Sequence, residues 1–140
     1  MGRAVTIAAA LFAVAAAVPA AVPAGGSGTV TPTGFAFGRL GGNIRPYRVS
    51  IENSGTVHWS GAVTVGRKKL ASIELVTLNR IATETSFLTL PKTTNCPGAL
   101  PDVASTYVRV GALTVRVHGT CVPRYARMWR ALVSAVRVSE

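Results

Sequence analysis

The chain has 140 residues and a formal net charge of +10 at pH 7. This length suits one domain with its own hydrophobic core and is short for two. The five acidic residues are scattered singly along the chain, so no pair of neighbouring carboxylates indicates glycosidase-type acid/base chemistry.

Residues 1–24 have the pattern of a secretory signal peptide. Arg3 supplies a positive charge, residues 4–17 are almost entirely apolar, and small residues predict cleavage after Ala20 or Ala24. The alternative is a membrane anchor, but the apolar run is shorter than the span of about 20 residues that crosses a bilayer. We therefore expect a secreted or extracytoplasmic protein that contacts a membrane only through the uncleaved signal segment.

The next segment, residues 25–42, is rich in Gly, Thr and Pro, with Phe35, Phe37 and Leu40 isolated among them. This composition predicts a flexible arm, or else a first edge strand, in place of a packed element. Residues 43–140 then form a single domain.

A first hairpin is predicted at the start of this domain. Apolar residues alternate over residues 47–52 and again at Val57 and Trp59. A three-residue loop with Gly55 in the left-handed position sets Val49 beside Trp59 on one face, and we expect Trp59 in the core. Val63 and Val65 predict an extra strand near residues 62–66 or a kinked continuation of the hairpin.

A helix is predicted from Ser72, a candidate N-cap. Its apolar stripe has spacings of three and four and consists of Leu75, Leu78, Ile81 and Ala82.

A second hairpin is predicted over residues 106–117. A turn at Gly111-Ala112 pairs Val110 with Leu113 and Val108 with Val115, so that the apolar side chains share one face. This register brings Cys121 within reach of the loop that follows Cys96, so we expect one structural disulfide between Cys96 and Cys121. Metal binding or catalysis by the pair is the less frequent alternative in an exported protein.

The last helix is predicted from Pro123, a residue that suits the first helical position. Its apolar face consists of Tyr125, Trp129, Leu132, Val133 and Val136. Together the elements predict an α+β fold: a small antiparallel sheet of two hairpins with helices packed on one face, in the order ββαββα.

Few residues indicate chemistry. His58 and His118 lack the further ligands and the spacing of a metal site, so we expect no metal and no cofactor. Asp102 is better explained as a turn or strand-start residue than as part of a Ser/His/Asp triad, because the chain has no GxSxG motif. We therefore expect a protein that is not an enzyme.

The outer face of the predicted sheet is basic. The candidate partner-binding residues on it are Arg48, His58, Tyr107, Arg109, Arg116 and His118. Such a face suits phosphate, sulfate or an acidic polymer, and the simpler alternative is a solvated face in an Arg-rich chain. Nucleic acid is not expected, because Tyr107 is the single strand aromatic there and no RNP-like motif accompanies it.

The order of several short patterns between residues 41 and 136 resembles that of the emfourins, small proteins that inhibit thermolysin-type metalloproteases. The matching features are Gly41-Gly42 before a strand, the helix with Leu75 and Leu78, the run Ser86-Phe87-Leu88-Thr89-Leu90-Pro91, Asp102 with Tyr107 five residues on, the Val115/Val117 strand and the terminal helix from Pro123 to Leu132. The resemblance implies inhibition of a secreted thermolysin-like metalloprotease by protein–protein contact, and it assigns no inhibitory contact residues. The alternative is a secreted or cell-surface domain of structural or adhesive use, whose basic sheet face binds anionic envelope polymers.

Overall fold

The computed structural model describes residues 33–140. The predicted signal peptide and residues 25–32 of the predicted arm lie outside the described residues. The elements in chain order are β1 (Phe35–Leu40), β2 (Tyr47–Ile51), β3 (Val57–Gly61), β4 (Thr64–Val65), α1 (Ser72–Glu84), a 3-10 turn (Phe87–Thr89), β5 (Thr93–Asn95), β6 (Ser105–Val110), β7 (Leu113–His118), α2 (Pro123–Val136) and β8 (Val138–Ser139).

The fold is α+β, as predicted, but its main sheet is larger and mixed. Six strands lie in the order β3-β2-β1-β6-β7-β5, and the short strands β4 and β8 pair separately. All neighbours in the large sheet are antiparallel except β5 and β7, which are parallel. The predicted order ββαββα therefore lacks β1, β5 and β8, while the extra strand predicted near 62–66 is present as β4.

The centre of the sheet is β1, and this corrects the prediction of a flexible arm for residues 35–40, within the predicted arm of residues 25–42. β1 pairs with β2 on one side and with β6 on the other, so it joins the two predicted hairpins. Phe35 and Phe37 are 0% exposed. The segment is ordered because both of its edges and its aromatic face are covered by parts of the chain that are distant in sequence.

Both predicted hairpin registers are confirmed. Val49 pairs with Trp59, and Val110 pairs with Leu113. Gly55 has the expected positive φ, of 85°. Trp59 is nevertheless 40% exposed, which corrects its expected core position, because β3 is an edge strand and leaves one side of the indole uncovered.

The two helices cover one face of the sheet and complete the core. Glu74 accepts a hydrogen bond from the backbone N–H of Ala71, so the helix begins one residue earlier than a Ser72 cap predicts. The buried helix residues are Leu75, Leu78, Ala82, Tyr125, Met128, Leu132 and Val136. Trp129 is partly buried and packs edge-on against Phe37, with ring centroids 5.6 Å apart. Neither helix of the described range is long and apolar enough to cross a bilayer.

The predicted disulfide between Cys96 and Cys121 is confirmed, with Cα atoms 5.5 Å apart. A disulfide indicates an oxidising, extracytoplasmic environment. Closing a loop of this length stabilises a fold by about 3 kcal/mol in the chain-entropy model.

Candidate functional site

The side of the six-stranded sheet that faces away from the helices carries a basic patch. Register places Arg48, Gly38, Tyr107 and Arg116 in one row across β2, β1, β6 and β7. Arg109 lies in the neighbouring row, two residues along β6 from Tyr107. We call Arg48, Tyr107, Arg109 and Arg116 the basic face.

These four residues line one shallow depression of about 530 Å³. Its floor is β1, whose outward residues are Ala36, Gly38 and Leu40, and Ala36 and Leu40 line the depression. A Cβ atom on Gly38 would lie 2.1 Å from the carbonyl oxygen of Tyr47 and 3.0 Å from Cε1 of Tyr107. The Tyr107 ring therefore packs directly on Gly38, and glycine is required for this close approach.

The arginines of the basic face have no ion pair with any described residue. All five acids of the chain lie within the described range and contact other partners. The pairs are Glu52 with His58, Glu74 with Arg67, Glu84 with Arg80 and Arg127, Asp102 with Asn43, and Glu140 with Arg39 and Tyr47. The arginines of the face thus have no acid within ion-pair distance among the described residues, although Glu52 lines an adjoining depression together with Arg48 and Arg109.

Arg109 has a feature that a merely solvated arginine lacks. Its Nε atom is buried, and no hydrogen-bond acceptor of the described chain contacts it. A buried donor without a partner costs about 1–3 kcal/mol, so such groups are rare in folded proteins and need a reason. The aligned residue on β7 is Thr114, which lines the same depression.

Tyr107 is the aromatic member of the face. Burial raises the pKa of its hydroxyl, and the charges of Arg48 and Arg109 oppose this shift. Arg48 lies across Gly38 from Tyr107 in the same row of the sheet, and Arg109 lies two residues along β6. The phenol stays neutral at physiological pH and can donate a hydrogen bond.

The two histidines predicted for the face do not line this depression. His58 is one strand beyond Arg48 and lies 2.9 Å from the Glu52 carboxylate, in an adjoining depression that Arg48 and Arg109 also line. His118 lies between Ser105 Oγ, 3.2 Å from Nδ1, and the carbonyl oxygen of Leu100, 2.9 Å from Nε2. The contact with Leu100 connects the end of β7 to the loop over residues 96–103.

That loop, residues 96–103, is the second exposed feature, and we call it the Cys96 loop. The disulfide fixes one end, and the Asn43 N–H donates to the carbonyl oxygen of Asp102 at the other, at 3.0 Å. Leu100 is 63% exposed and Val103 is 45% exposed. The loop therefore presents apolar side chains on a tethered backbone.

Sequence reasoning identified the charged residues of the face but missed its floor. Ala36 and Gly38 lie within the predicted arm. The signal that could have found them is the alternation of residues 35–38, in which Phe35 and Phe37 alternate with the small residues Ala36 and Gly38. Within residues 33–140, no group of three His, Cys, Asp or Glu side chains is arranged to hold a metal ion.

Comparisons with family models, with curated proteins and with solved structures give no significant match. The functional argument therefore depends on the site itself.

Proposed function

We propose that this protein is an exported, non-catalytic binding protein whose basic face holds an anionic polymer outside the cell. The observation that carries the proposal is that three arginines, none of them ion-paired with a described residue, line one depression above Ala36 and Leu40 of β1. The predicted signal peptide and the disulfide support export.

The charge distribution favours a polymer over a single small ion. Arg48 and Arg116 are three strands apart, which corresponds to roughly 14 Å at the usual strand spacing. Charges spread over this distance can meet successive anionic groups of one chain, each displacing a counterion. Binding of this kind weakens steeply as salt rises.

The apolar residues of the surface argue for a water-soluble polymer over a bilayer. The three most exposed large apolar side chains of the described chain are Ile73, Leu88 and Leu100. They lie in α1, the 3-10 turn and the Cys96 loop, whereas the one exposed large apolar side chain that lines the depression is Leu40, which is 36% exposed. A face that inserts into a membrane interface needs a broad apolar surface beside its charges, and one partly exposed leucine supplies little.

The test is a titration of the mature protein with a sulfated or phosphorylated polysaccharide at several salt concentrations. Arg48→Gln and Arg116→Gln should each weaken binding and reduce the slope of log K against log salt by about one. Arg130→Gln is the matched control, since it removes the same charge from the exposed side of α2. Equal effects of all three substitutions would mean that net charge alone drives the association.

A second candidate function, inhibition of a thermolysin-like metalloprotease, is favoured by the geometry of the Cys96 loop. An inhibitor that fills a cleft gains affinity from a backbone ordered before binding, because less conformational entropy is lost. Leu100 is the most exposed apolar side chain of this loop, and hot-spot anchors are typically side chains that a partner pocket can bury.

This second function is tested by titrating the protein against a thermolysin-type protease with a small peptide substrate. Inhibition should be stoichiometric and should weaken at least tenfold in Leu100→Ala but not in Leu88→Ala, an equally exposed leucine in the 3-10 turn. His58→Ala is the suitable test for zinc capture, because His118 holds the carbonyl of Leu100 and its loss would disturb the loop. No inhibition at large molar excess would remove this candidate.

A further inference from the structure

A second depression adjoins the basic face, and the inference drawn from it rests on the proposed function. We propose that Glu52 is a specificity-determining residue, which selects polymers whose anionic units are separated by uncharged, hydroxyl-bearing units. The anionic unit lies in the depression of the basic face, and the uncharged unit lies in the second depression beside Glu52.

The two depressions form one continuous trough. Arg48 and Arg109 line both of them, so the second depression, of about 500 Å³, begins where the first one ends. The other residues that line it are mostly polar: Ser50, Glu52, Asn53, Ser54 and His58, together with Gly34 and Ile51. A chain bound in the first depression can therefore continue into a polar one.

The charge of the trough changes sign along the strands. Arg48 and Arg116 lie in one row of the sheet, Arg109 lies in the next row with Ser50, and Glu52 lies two residues beyond Ser50. With histidine counted as neutral, the formal charges at these three levels are +2, +1 and −1. The four residues from Arg48 to Glu52 correspond to about 13 Å of extended chain, which is longer than one sugar unit. The trough therefore attracts an anion at one end only.

The Glu52 carboxylate is accessible to a ligand and is held in the trough. Its side chain is 56% exposed. One carboxylate oxygen lies 2.9 Å from Nε2 of His58, and the other accepts a hydrogen bond from the Ser54 hydroxyl at 3.2 Å. A second anionic group in this depression would meet a like charge, and such a contact lowers the affinity for the wrong ligand.

The other side chains of the second depression suit an uncharged polar unit. Ser50, Asn53 and Ser54 carry hydroxyl and amide groups, which both donate and accept hydrogen bonds. The Glu52 carboxylate accepts only, so a sugar hydroxyl can donate to it whereas an ionised sulfate or phosphate ester, itself an acceptor, cannot. Hydrogen bonding and charge thus favour the same unit.

The test compares two oligosaccharides of the same backbone and length, one sulfated on every sugar and the other on every second sugar, with the unsulfated chain as a blank. If charge density alone governed binding, the fully sulfated chain would bind more tightly. We expect the mature protein to bind the alternately sulfated chain at least as tightly. Glu52→Gln should tighten binding of the fully sulfated chain about threefold or more and change binding of the alternately sulfated chain less than about twofold.

Two further variants control the result. Asn53→Asp adds a second acid to the same depression, so it should weaken binding of the fully sulfated chain more than binding of the alternately sulfated one. Glu84→Gln is the matched control, since Glu84 is an exposed acid of α1 that lines neither depression, and it should leave the ratio of the two affinities unchanged. Thermal melting of each variant checks the fold, and Asn53→Asp decides the matter if Glu52→Gln lowers the melting temperature.

The outcomes distinguish the inference from the proposed function. If the fully sulfated chain binds more tightly to the mature protein, or if Glu52→Gln changes both affinities alike, Glu52 does not select the ligand and the inference is wrong. The proposed function still stands in that case, provided that Arg48→Gln and Arg116→Gln weaken binding of both chains. If these two arginine variants bind both chains as the unchanged protein does, the proposed function itself fails.

Discussion

Replacing Phe37 by alanine is expected to lower the free energy of unfolding by about 3–5 kcal/mol. Phe37 is 0% exposed at the centre of the sheet, between Val49 on β2 and Val108 on β6, and its ring contacts Trp129 edge-on. The aromatic pair accounts for about 0.5–1.5 kcal/mol beyond the buried area. Domains of this kind have total stabilities of about 5–15 kcal/mol, so one substitution removes a large share.

The assay is urea unfolding followed by tryptophan fluorescence and by far-ultraviolet circular dichroism. Ile44→Ala is the control, because Ile44 follows β1 closely in sequence but is 39% exposed; its cost should stay below about 1 kcal/mol. A chain that starts at residue 43, the domain boundary predicted from sequence, should not unfold cooperatively, because β2 and β6 lose the strand between them. A loss below about 1 kcal/mol for Phe37→Ala, or a fully stable chain from residue 43, would refute the central position of β1.

Three further predictions concern the Cys96–Cys121 disulfide, Gly38 in β1 and the ionisation of the three tyrosines. Native protein should contain no titratable thiol, and Cys121→Ser should cost about 2–4 kcal/mol in urea unfolding, since the Cys96 loop loses its tether; two free thiols would contradict this. Gly38→Ala should cost about 1–3 kcal/mol by overpacking and should weaken polymer binding by shifting the Tyr107 ring; unchanged stability would show that β1 is not tightly held. Burial raises the pKa of all three tyrosines, with a further contribution at Tyr47 from the Glu140 carboxylate. Tyrosinate absorbance should therefore be small at pH 10 in native protein, and stability should fall as the pH rises above about 10, where unfolded tyrosines ionise; half-ionisation near pH 10 without unfolding would contradict it.

The hairpins and helices could be predicted from sequence because their signals are local. Alternation with period two, together with glycines at Gly55 and Gly111, specifies both strands and turn in each hairpin. The stripe on α1 and the Pro123 start of α2 are equally local. These elements need only their own residues to be recognised.

The central and edge strands could not be predicted with the same rules. β1 has Gly38 and Ala36 on one face, a composition typical of a loop, and its order comes from two strands that are distant in sequence. β5 is Thr-Thr-Asn and is a strand only because β7 offers it a parallel partner. In both cases tertiary pairing decides the structure.

The candidate site was predicted in part for a related reason. Alternation alone predicts that Arg48, Tyr107, Arg109 and Arg116 lie on the outer face of the sheet. In the structure all four line one depression. The two histidines share that parity but contact Glu52 and the carbonyl of Leu100, and those contacts depend on how the loops return to the sheet. Whether a residue is at an odd or an even position of a strand predicts the sheet face on which its side chain lies, but it does not predict which groups that side chain contacts.

The most direct test of the account compares two triple variants of the mature protein with the same net charge. In one, Arg48, Arg109 and Arg116 are changed to glutamine; in the other, the exposed cations Lys68, Arg124 and Arg130, outside the basic face, are changed instead. Binding of a sulfated or phosphorylated polysaccharide is measured against salt concentration by calorimetry. The account predicts that the first variant loses binding at physiological salt while the second retains most of it, and equal losses in the two variants would contradict it.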